Sequence, residues 1–255
     1  MNDAYVKYSV ENNIGVIEFF TPHHNSLPAK ILSQLVSTIA EAGKDDKSKV
    51  LILKSGGDKT FCAGASFDEL MMIDNEEQGL EFFSGFAKLI NAMRQCPKFI
   101  IGRIQGKAIG GGAGLASSCD YCFATIYAEI KLSELAVGIG PFVVGPAVER
   151  RIGTTATYEL SIDATNFRSA QWAKQKGLYA EVFDTIELMD EAVYQLATTL
   201  ANSSSEAMKE IKKVFWKGTE TWNELLMQRA AISGRLILSD YSKKFLASFK
   251  SKMKK

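Results

Sequence analysis

The stretch that decides the fold lies at residues 99–125 and has the sequence FIIGRIQGKAIGGGAGLASSCDYCFAT. Residues 99–104 are mostly apolar and predict a strand that is buried on both faces. The glycine run at 110–114 predicts the start of a short apolar helix, and residues 121–125 predict a return to strand. This order of elements is typical of a parallel sheet with crossover connections.

The same alternation of strand and helix extends towards the N-terminus. Residues 16–20, after a turn at Gly15, predict a strand, and an amphipathic helix with Ser26 as its N-cap follows. Residues 50–53 predict a second buried strand, and the apolar spacing within 82–93 predicts a second long helix. We therefore expect an α/β fold with a mostly parallel sheet and helices packed outside it.

The pattern changes after residue 187. Residues 188–255 have helical periodicity and almost no strand signal, so we expect a helical region that follows an α/β core at 1–187. The last predicted helix carries an apolar stripe that includes Phe249, beside several lysines. Such a stripe needs to be covered, either by the chain's own core or by a neighbouring subunit.

Composition and charge exclude several classes of function. Of the 255 residues 46% are hydrophobic and 23% are charged, as in soluble globular proteins. The formal net charge of +1 provides no overall field for nucleic acid or an anionic membrane, so we expect neither partner. The longest uncharged run, 135–148, contains two prolines and is too short to span a bilayer. The N-terminal sequence resembles neither a secretory signal nor a transit peptide, which favours a cytoplasmic location.

Three familiar kinds of site do not fit the sequence. Cys119 and Cys122 form a C-x-x-C without a second pair or a nearby histidine, so we expect two buried thiols on a strand, not a zinc or redox site. His23 and His24 are adjacent and lack the spacing of a metal pair, and we expect no metal. The glycines at 112–117 do not complete the G-x-G-x-x-G fingerprint of a dinucleotide site.

Two loops rich in small residues, 61–65 and 110–114, each follow a buried strand. The carboxyl ends of parallel strands face the crevice where such sheets bind ligands, and small residues let a ligand approach the backbone N–H groups. Two loops of this kind can direct two donors at one oxygen, and Gly111 at a helix start adds the positive end of the helix dipole. We expect an oxyanion hole. The alternative is a glycine run that only permits close helix packing.

Carboxylates near these loops are the candidate bases, because moving a proton to or from carbon requires a base beside the polarised carbonyl. Asp68, Glu69, Asp120 and Glu134 all lie near the loops in sequence. Glu134 is a single acid among apolar residues, so in a pocket its pKa should rise towards the range useful for acid–base catalysis. The alternative is a glutamate at the surface, at the start of a helix.

Four segments together resemble the enoyl-CoA hydratase/isomerase (crotonase) superfamily. They are residues 61–65, residues 105–112, the pair Cys119-Asp120, and residues 132–135 with the Gly-Pro loop that follows. The resemblance implies a crotonase-like spiral of repeated ββα units over 1–187. It also implies that the helical region 188–255 forms trimers, often paired into hexamers.

The resemblance further implies an acyl-coenzyme A thioester as substrate, with coenzyme A as part of the substrate and no separate cofactor. The N–H groups of Ala65 and Gly111 would hold the thioester oxygen, and Glu134 would be the catalytic base. Phe249 and Lys252 would approach the coenzyme from the next subunit. The remaining residues that we expect at the substrate are Ala63, Gly64 and Gly110, with Gly114, Pro141 and Phe142 in the acyl pocket.

The sequence departs from the hydratase pattern at one decisive position. Hydratases of this superfamily carry two glutamates, and the first of them is replaced here by Gly114. A lone carboxylate at Glu134 can still take a proton from C2 of a 3-enoyl thioester and return it at C4. The resemblance thus favours isomerisation; the alternatives are a 2-enoyl-CoA hydratase, an acyl-CoA decarboxylase, and a non-catalytic binding protein of the same fold. A second departure is Ser66 and Asp68, where many members have Asp and Lys.

Overall fold

The computed structural model describes residues 3–253, with side chains described as far as residue 249. The strands are β1 (Tyr5–Glu11), β2 (Ile14–Phe20), β3 (Val50–Ser55), β4 (Thr60–Cys62), β5 (Ile100–Ile104), β6 (Lys107–Ile109), β7 (Tyr121–Thr125), β8 (Ile130–Lys131) and β9 (Glu181–Phe183). The helices are α1 (Ala29–Lys44), α2 (Phe67–Leu70), α3 (Glu76–Gln95), α4 (Gly111–Ser118), α5 (Glu134–Val137), α6 (Gly145–Ile162), α7 (Ala170–Gln175), α8 (Ile186–Ala201), α9 (Ser205–Phe215), α10 (Trp222–Leu236) and α11 (Asp240–Met253). No helix within residues 3–253 is long and apolar enough to cross a membrane.

The strands form two sheets that the chain visits in turn. A six-stranded sheet has the order β1-β2-β3-β5-β7-β9, and a three-stranded sheet has the order β4-β6-β8. The β1–β2 pair is antiparallel and the other pairs are parallel. After the hairpin of β1 and β2, three successive turns of the chain place one strand in each sheet before a helix follows: β3-β4-α2, β5-β6-α4 and β7-β8-α5. The predicted α/β spiral of ββα units is confirmed.

The long sheet is buried on both faces, which explains its uninterrupted apolar strands. On β3, Leu51 and Leu53 face one core cluster with residues of α1 and α3, whereas Val50 and Ile52 face a second cluster with Met189 of α8. Successive residues of a strand point to opposite faces, so both sets must be apolar. Helix α8 of the C-terminal region thus covers the outer face of the sheet.

Two predictions at the N-terminus are wrong. The turn before the second strand is formed by Asn12 and Asn13, both with positive φ, and Gly15 lies within β2. Two residues with positive φ favour the tight hairpin that joins β1 to β2. Ser26 is not the N-cap of α1, because Leu27 is still paired with Ala65 and the helix begins only at Ala29.

The two cysteines of the C-x-x-C are free and buried. They do not share a strand as predicted, because Cys119 caps the C-terminus of α4 and Cys122 lies on β7. The chain passes from helix to strand between them.

A buried ion pair fastens α9 to the core. Lys212 donates from Nζ to Asp120 Oδ2 at 2.8 Å and also to the carbonyl oxygens of Met93 and Lys98. Asp120 accepts further hydrogen bonds from the backbone N–H of Ile100 and from Trp216 Nε1. The Lys212 side chain is only 3% exposed. Both charges are therefore fully satisfied without water.

Removing one partner of this ion pair should destabilise the fold strongly. We expect Lys212→Met to lower the free energy of unfolding by about 3–5 kcal/mol, because Asp120 would stay buried without its counter-charge. Lys213→Met is the matched control, since Lys213 is 74% exposed and its ion pair with Glu210 should contribute less than about 1 kcal/mol. Urea unfolding measures both values, and equal midpoints for the two variants would contradict this assignment.

Candidate active site

One cavity of about 130 Å³ lies where the loops after β4 and β6 meet α5, α3 and α10. Its lining is almost wholly apolar. The lining residues are Ala63, Gly64, Ala65, Phe67, Leu70, Phe83, Phe86, Gly110, Gly111, Ser133, Glu134, Val137, Ile139, Gly140, Pro141, Phe142, Val143, Val144 and Ser233. Among these residues Glu134 is the one that carries a charge.

The two predicted loops approach each other closely at this cavity. Gly64 and Gly110 have positive φ angles of 89° and 53°, a region that glycine adopts without strain. A Cβ atom on Gly64 would lie 2.9 Å from the carbonyl oxygen of Ile109 and 3.2 Å from the nitrogen of Gly111. Glycine at position 64 therefore allows the contact between the loops.

The N–H groups of Ala65 and Gly111 are not used by the backbone bonds that hold their loops. Leu27 N–H donates to Gly64 O and Ser66 N–H donates to Leu27 O, and neither bond uses the N–H of Ala65. Gly111 is the first residue of α4, where the N–H has no acceptor within the helix. Both residues line the cavity together with Glu134.

The Glu134 carboxyl group lies beside these loops. A Cβ atom on Gly110 would lie 3.0 Å from Glu134 Oε1. Although the residue as a whole is half-buried, Oε2 is sealed from solvent and has no hydrogen-bond partner among the described residues. Burial raises the pKa of Glu134 to about 7, partly offset by the backbone N–H groups of Glu134 and Ser133. A carboxyl group with this pKa can accept and return a proton near neutral pH.

Gly114 does not line the cavity, which corrects the prediction that it is a pocket residue. Val144, at the start of α6, covers it: a Cβ atom on Gly114 would lie 2.6 Å from both Cβ and Cγ1 of Val144. The space for a side chain at position 114 is therefore filled by a valine. Pro141 and Phe142 do line the cavity, and so do Ala63, Gly64 and Gly110; their contact with a substrate stays a prediction.

The C-terminal helix folds back onto its own chain. The rings of Phe249 and Phe67 are 4.3 Å apart between centroids, and Phe67 lines the cavity. Phe249 also remains 38% exposed, and its approach to the coenzyme of the next subunit stays a prediction. The side chain of Lys252 lies outside the described residues.

The other candidate carboxylates are used elsewhere. Asp120 is held in the ion pair with Lys212, Asp68 is exposed, and Glu69 accepts a hydrogen bond from the N–H of Ala29 at the start of α1. His23 and His24 are exposed. Within residues 3–253 there is no group of three His, Cys, Asp or Glu side chains that could hold a metal ion.

Several lining residues were not identified from the sequence as part of a site. Phe83 and Phe86 were predicted only as the apolar face of a helix, which is a correct but incomplete description. Ser233 reaches the cavity because α10 crosses α3 where Gly79 and Gly234 touch. The small residues Gly79 and Gly234, on helices that are far apart in the sequence, were the signal from which that crossing could have been predicted.

Comparison with known proteins identifies the family. A family model described as enoyl-CoA hydratase/isomerase matches residues 9–255. YngF of Bacillus subtilis (strain 168) is 32% identical over 198 residues, which are 77% of this chain and 75% of YngF. The peroxisomal Delta(3,5)-Delta(2,4)-dienoyl-CoA isomerase of Arabidopsis thaliana is 26% identical over 231 residues, 80% of this chain and 81% of the relative.

A solved structure agrees with the sequence comparison. The crystal structure of an enoyl-CoA hydratase from Bacillus halodurans has a TM-score of 0.88 at 22% identity, covering 96% of this chain and 99% of that chain. At this identity the structural likeness establishes the fold. Together with the family match over nearly the whole sequence, it leads to one conclusion: the chain belongs to the enoyl-CoA hydratase/isomerase family.

Proposed function

We propose that the protein is an enoyl-CoA isomerase that converts a 3-enoyl thioester into a 2-enoyl thioester. The observation that carries this proposal is the single carboxyl group of Glu134 in an otherwise uncharged cavity. Ala65 and Gly111 are the proposed oxyanion donors, and coenzyme A enters as part of the substrate.

The proposed reaction needs one base and two donors. The Glu134 carboxylate takes a proton from C2, and the electron pair moves onto the thioester oxygen, where the N–H groups of Ala65 and Gly111 stabilise it. The protonated Glu134 then returns the proton at C4, and the double bond moves to C2–C3. No atom is gained or lost, and the carboxylate is regenerated.

Hydration would require more than this cavity offers. Adding water to a double bond calls for one group that activates water and for delivery of a proton to the α-carbon, a task suited to two carboxylates. Position 114, where hydratases of the family carry the first glutamate, is glycine here and is covered by Val144. Isomerisation is therefore the better match to the residues present.

The assay that tests the proposal uses a 3-enoyl-CoA and a 2-enoyl-CoA with the wild-type protein. Isomerisation brings the double bond into conjugation with the thioester and leaves the mass unchanged, whereas hydration adds the mass of water and removes the conjugation. Absorbance and mass spectrometry of the same samples separate the two reactions. Hydration of the 2-enoyl substrate without double-bond migration in the 3-enoyl substrate would contradict the proposal.

Glu134→Gln should abolish the proton transfer. The amide keeps the size of the side chain but cannot act as a base, so we expect kcat to fall by at least about 10²–10⁴-fold while acyl-CoA binding persists. Asp68→Asn is the matched control, since it removes an exposed carboxylate outside the cavity and should leave turnover unchanged. Rates and calorimetric binding of both variants provide the measurement, and an active Glu134→Gln enzyme would place the base elsewhere.

The pH dependence of turnover should report the raised pKa of Glu134. Because the carboxylate is the active form, kcat/KM should rise with pH and level off above a pKa of about 7. The pKa in the folded protein lies above the ordinary 4.5, so the contribution of Glu134 to stability is complete below pH 4.5 and is lost as pH rises through 7. Glu134→Gln should therefore unfold at a higher urea concentration than wild type at pH 8, but not at pH 4. A kcat/KM profile that levels off already above pH 4.5 would contradict the buried environment of Glu134.

We also propose that the chain assembles as a homotrimer or a hexamer. A prominent apolar surface that calls for cover lies on α9, where Val214 and Phe215 are 65% and 69% exposed. Light scattering at micromolar concentration should give three chains or a multiple of three. Val214→Glu with Phe215→Glu should yield smaller species, whereas Lys209→Glu on the same helix should not. A wild-type monomer would contradict the proposal.

A further inference from the structure

Helices α3 and α10 cross beside the catalytic cavity, and both contribute to its lining through Phe83, Phe86 and Ser233. Along α3, Phe86 lies beside the oxyanion loop, Phe83 lies one turn further towards the N-terminus, and Gly79 lies one turn beyond that. Gly79 meets Gly234 of α10 so closely that a Cβ atom on Gly79 would lie 2.6 Å from Gly234 Cα. The two backbones are in contact there, so α10 cannot move closer to α3 or leave without losing this packing.

Two side chains that line the cavity, Phe86 and Val144, pack directly against the backbone of glycines in α4. A methyl group on Gly111 would overlap the ring of Phe86, which shows that the ring lies directly against the oxyanion loop. Val144 lies against Gly114 in the same way. Phe86 and Val144 are both buried and pack against glycines of α4. These two walls of the cavity therefore rest on the helix that begins with the proposed donor Gly111.

Phe83 stands between the reacting end and the helix crossing. It is buried, it lines the cavity, and its ring packs edge-on against Phe82 at 5.1 Å between centroids. Ser233, the residue before the Gly234 contact, lines the cavity from α10. Removal of the Phe83 ring would open the space that leads to this crossing.

The volume limits the acyl group that fits. An apolar cavity of about 150 Å³ holds one benzene, that is, six carbon atoms. The catalytic cavity measures about 130 Å³ and must also admit the thioester carbonyl. An acyl chain of about four or five carbons would fill this space, and a longer chain would extend beyond it.

We propose that the protein selects short acyl thioesters and that Phe83 is the residue that sets the length limit. The inference rests on the proposed acyl-CoA site, but it does not depend on which reaction Glu134 catalyses. A chain of eight carbons would have to displace Phe83 or stay outside the cavity.

Binding of saturated thioesters tests the limit without any turnover. We expect calorimetry to show butyryl-CoA binding at least about tenfold tighter than coenzyme A alone, and octanoyl-CoA binding no tighter than coenzyme A, since one misplaced methylene can cost about 10–200-fold. Phe83→Ala should raise the affinity for octanoyl-CoA relative to butyryl-CoA by at least about tenfold. Phe83→Leu should shift the ratio of octanoyl-CoA to butyryl-CoA affinity in the same direction by a smaller factor. This variant replaces Phe83→Ala in the test if the alanine variant does not fold.

Phe99→Ala is the control, because it removes the same kind of ring from a half-buried position that does not line the cavity and does not contact Phe83 through its ring. Its octanoyl to butyryl ratio should equal that of wild type. Octanoyl-CoA binding to wild type as tightly as butyryl-CoA, or a Phe99 variant that shifts the ratio as much as the Phe83 variants, would overturn the inference. Absence of binding to every thioester would overturn it together with the coenzyme site. A butyryl preference without double-bond migration would instead contradict only the isomerase assignment.

Discussion

The close approach of the loop after β4 to the start of α4 is the contact on which the site depends. β4 and β6 are neighbours in the three-stranded sheet, so their carboxyl ends emerge side by side. Gly64 then lies against Ile109 and Gly111, and the bridge from Leu27 ties the first loop to the start of α1. The proposed donors are backbone groups, so their positions are fixed by strand pairing and not by side-chain rotamers. Such preorganised donors need no rearrangement as charge develops on a substrate oxygen.

The fold places the carboxylates of Asp120 and Glu134 in opposite environments. Asp120 receives a lysine, an indole N–H and a backbone N–H, and its charge is therefore stabilised within the fold. Glu134 lies in a mostly apolar cavity, where its Oε2 atom has no hydrogen-bond partner among the described residues. The first environment contributes to stability, whereas the second costs stability whenever Glu134 is ionised. A cost of this kind at a single residue is what a base of nearly neutral pKa requires.

Short sequence patterns predicted the elements whose residue types are constrained directly by burial or by close backbone contact. The apolar run at 50–53 and the glycine run at 110–114 led correctly to β3 and to the start of α4, because burial on both faces and close backbone approach constrain residue type directly. The strands β4, β6 and β8 have two or three residues each, too few for any periodicity.

What the sequence did not reveal depends on long-range contacts. Ser26 has every property of an N-cap, yet the pairing of Leu27 with Ala65 delays α1 until Ala29. Val144 covers position 114 because of how α6 packs on α4, and nothing in the local sequence around either residue indicates that pairing. The residues proposed as base and donors were identified from the sequence, as were the lining residues Pro141 and Phe142, whereas the lining residues Phe83, Val144 and Ser233 were not.

The helical region is part of the site in each single chain, although its sequence pattern differs from that of the core. α10 forms the far wall through the contact of Gly79 with Gly234 and through Ser233. α11 lies over α5, where a Cβ atom on Gly138 would be 2.6 Å from Cδ1 of Tyr241, and its Phe249 packs on Phe67 at the cavity. Because α5 begins with Glu134, the last helix packs on the element that positions this carboxyl group. The C-terminal helices therefore contribute both to the lining of the cavity and to the support of the helix that carries Glu134, so a change in their packing should alter both.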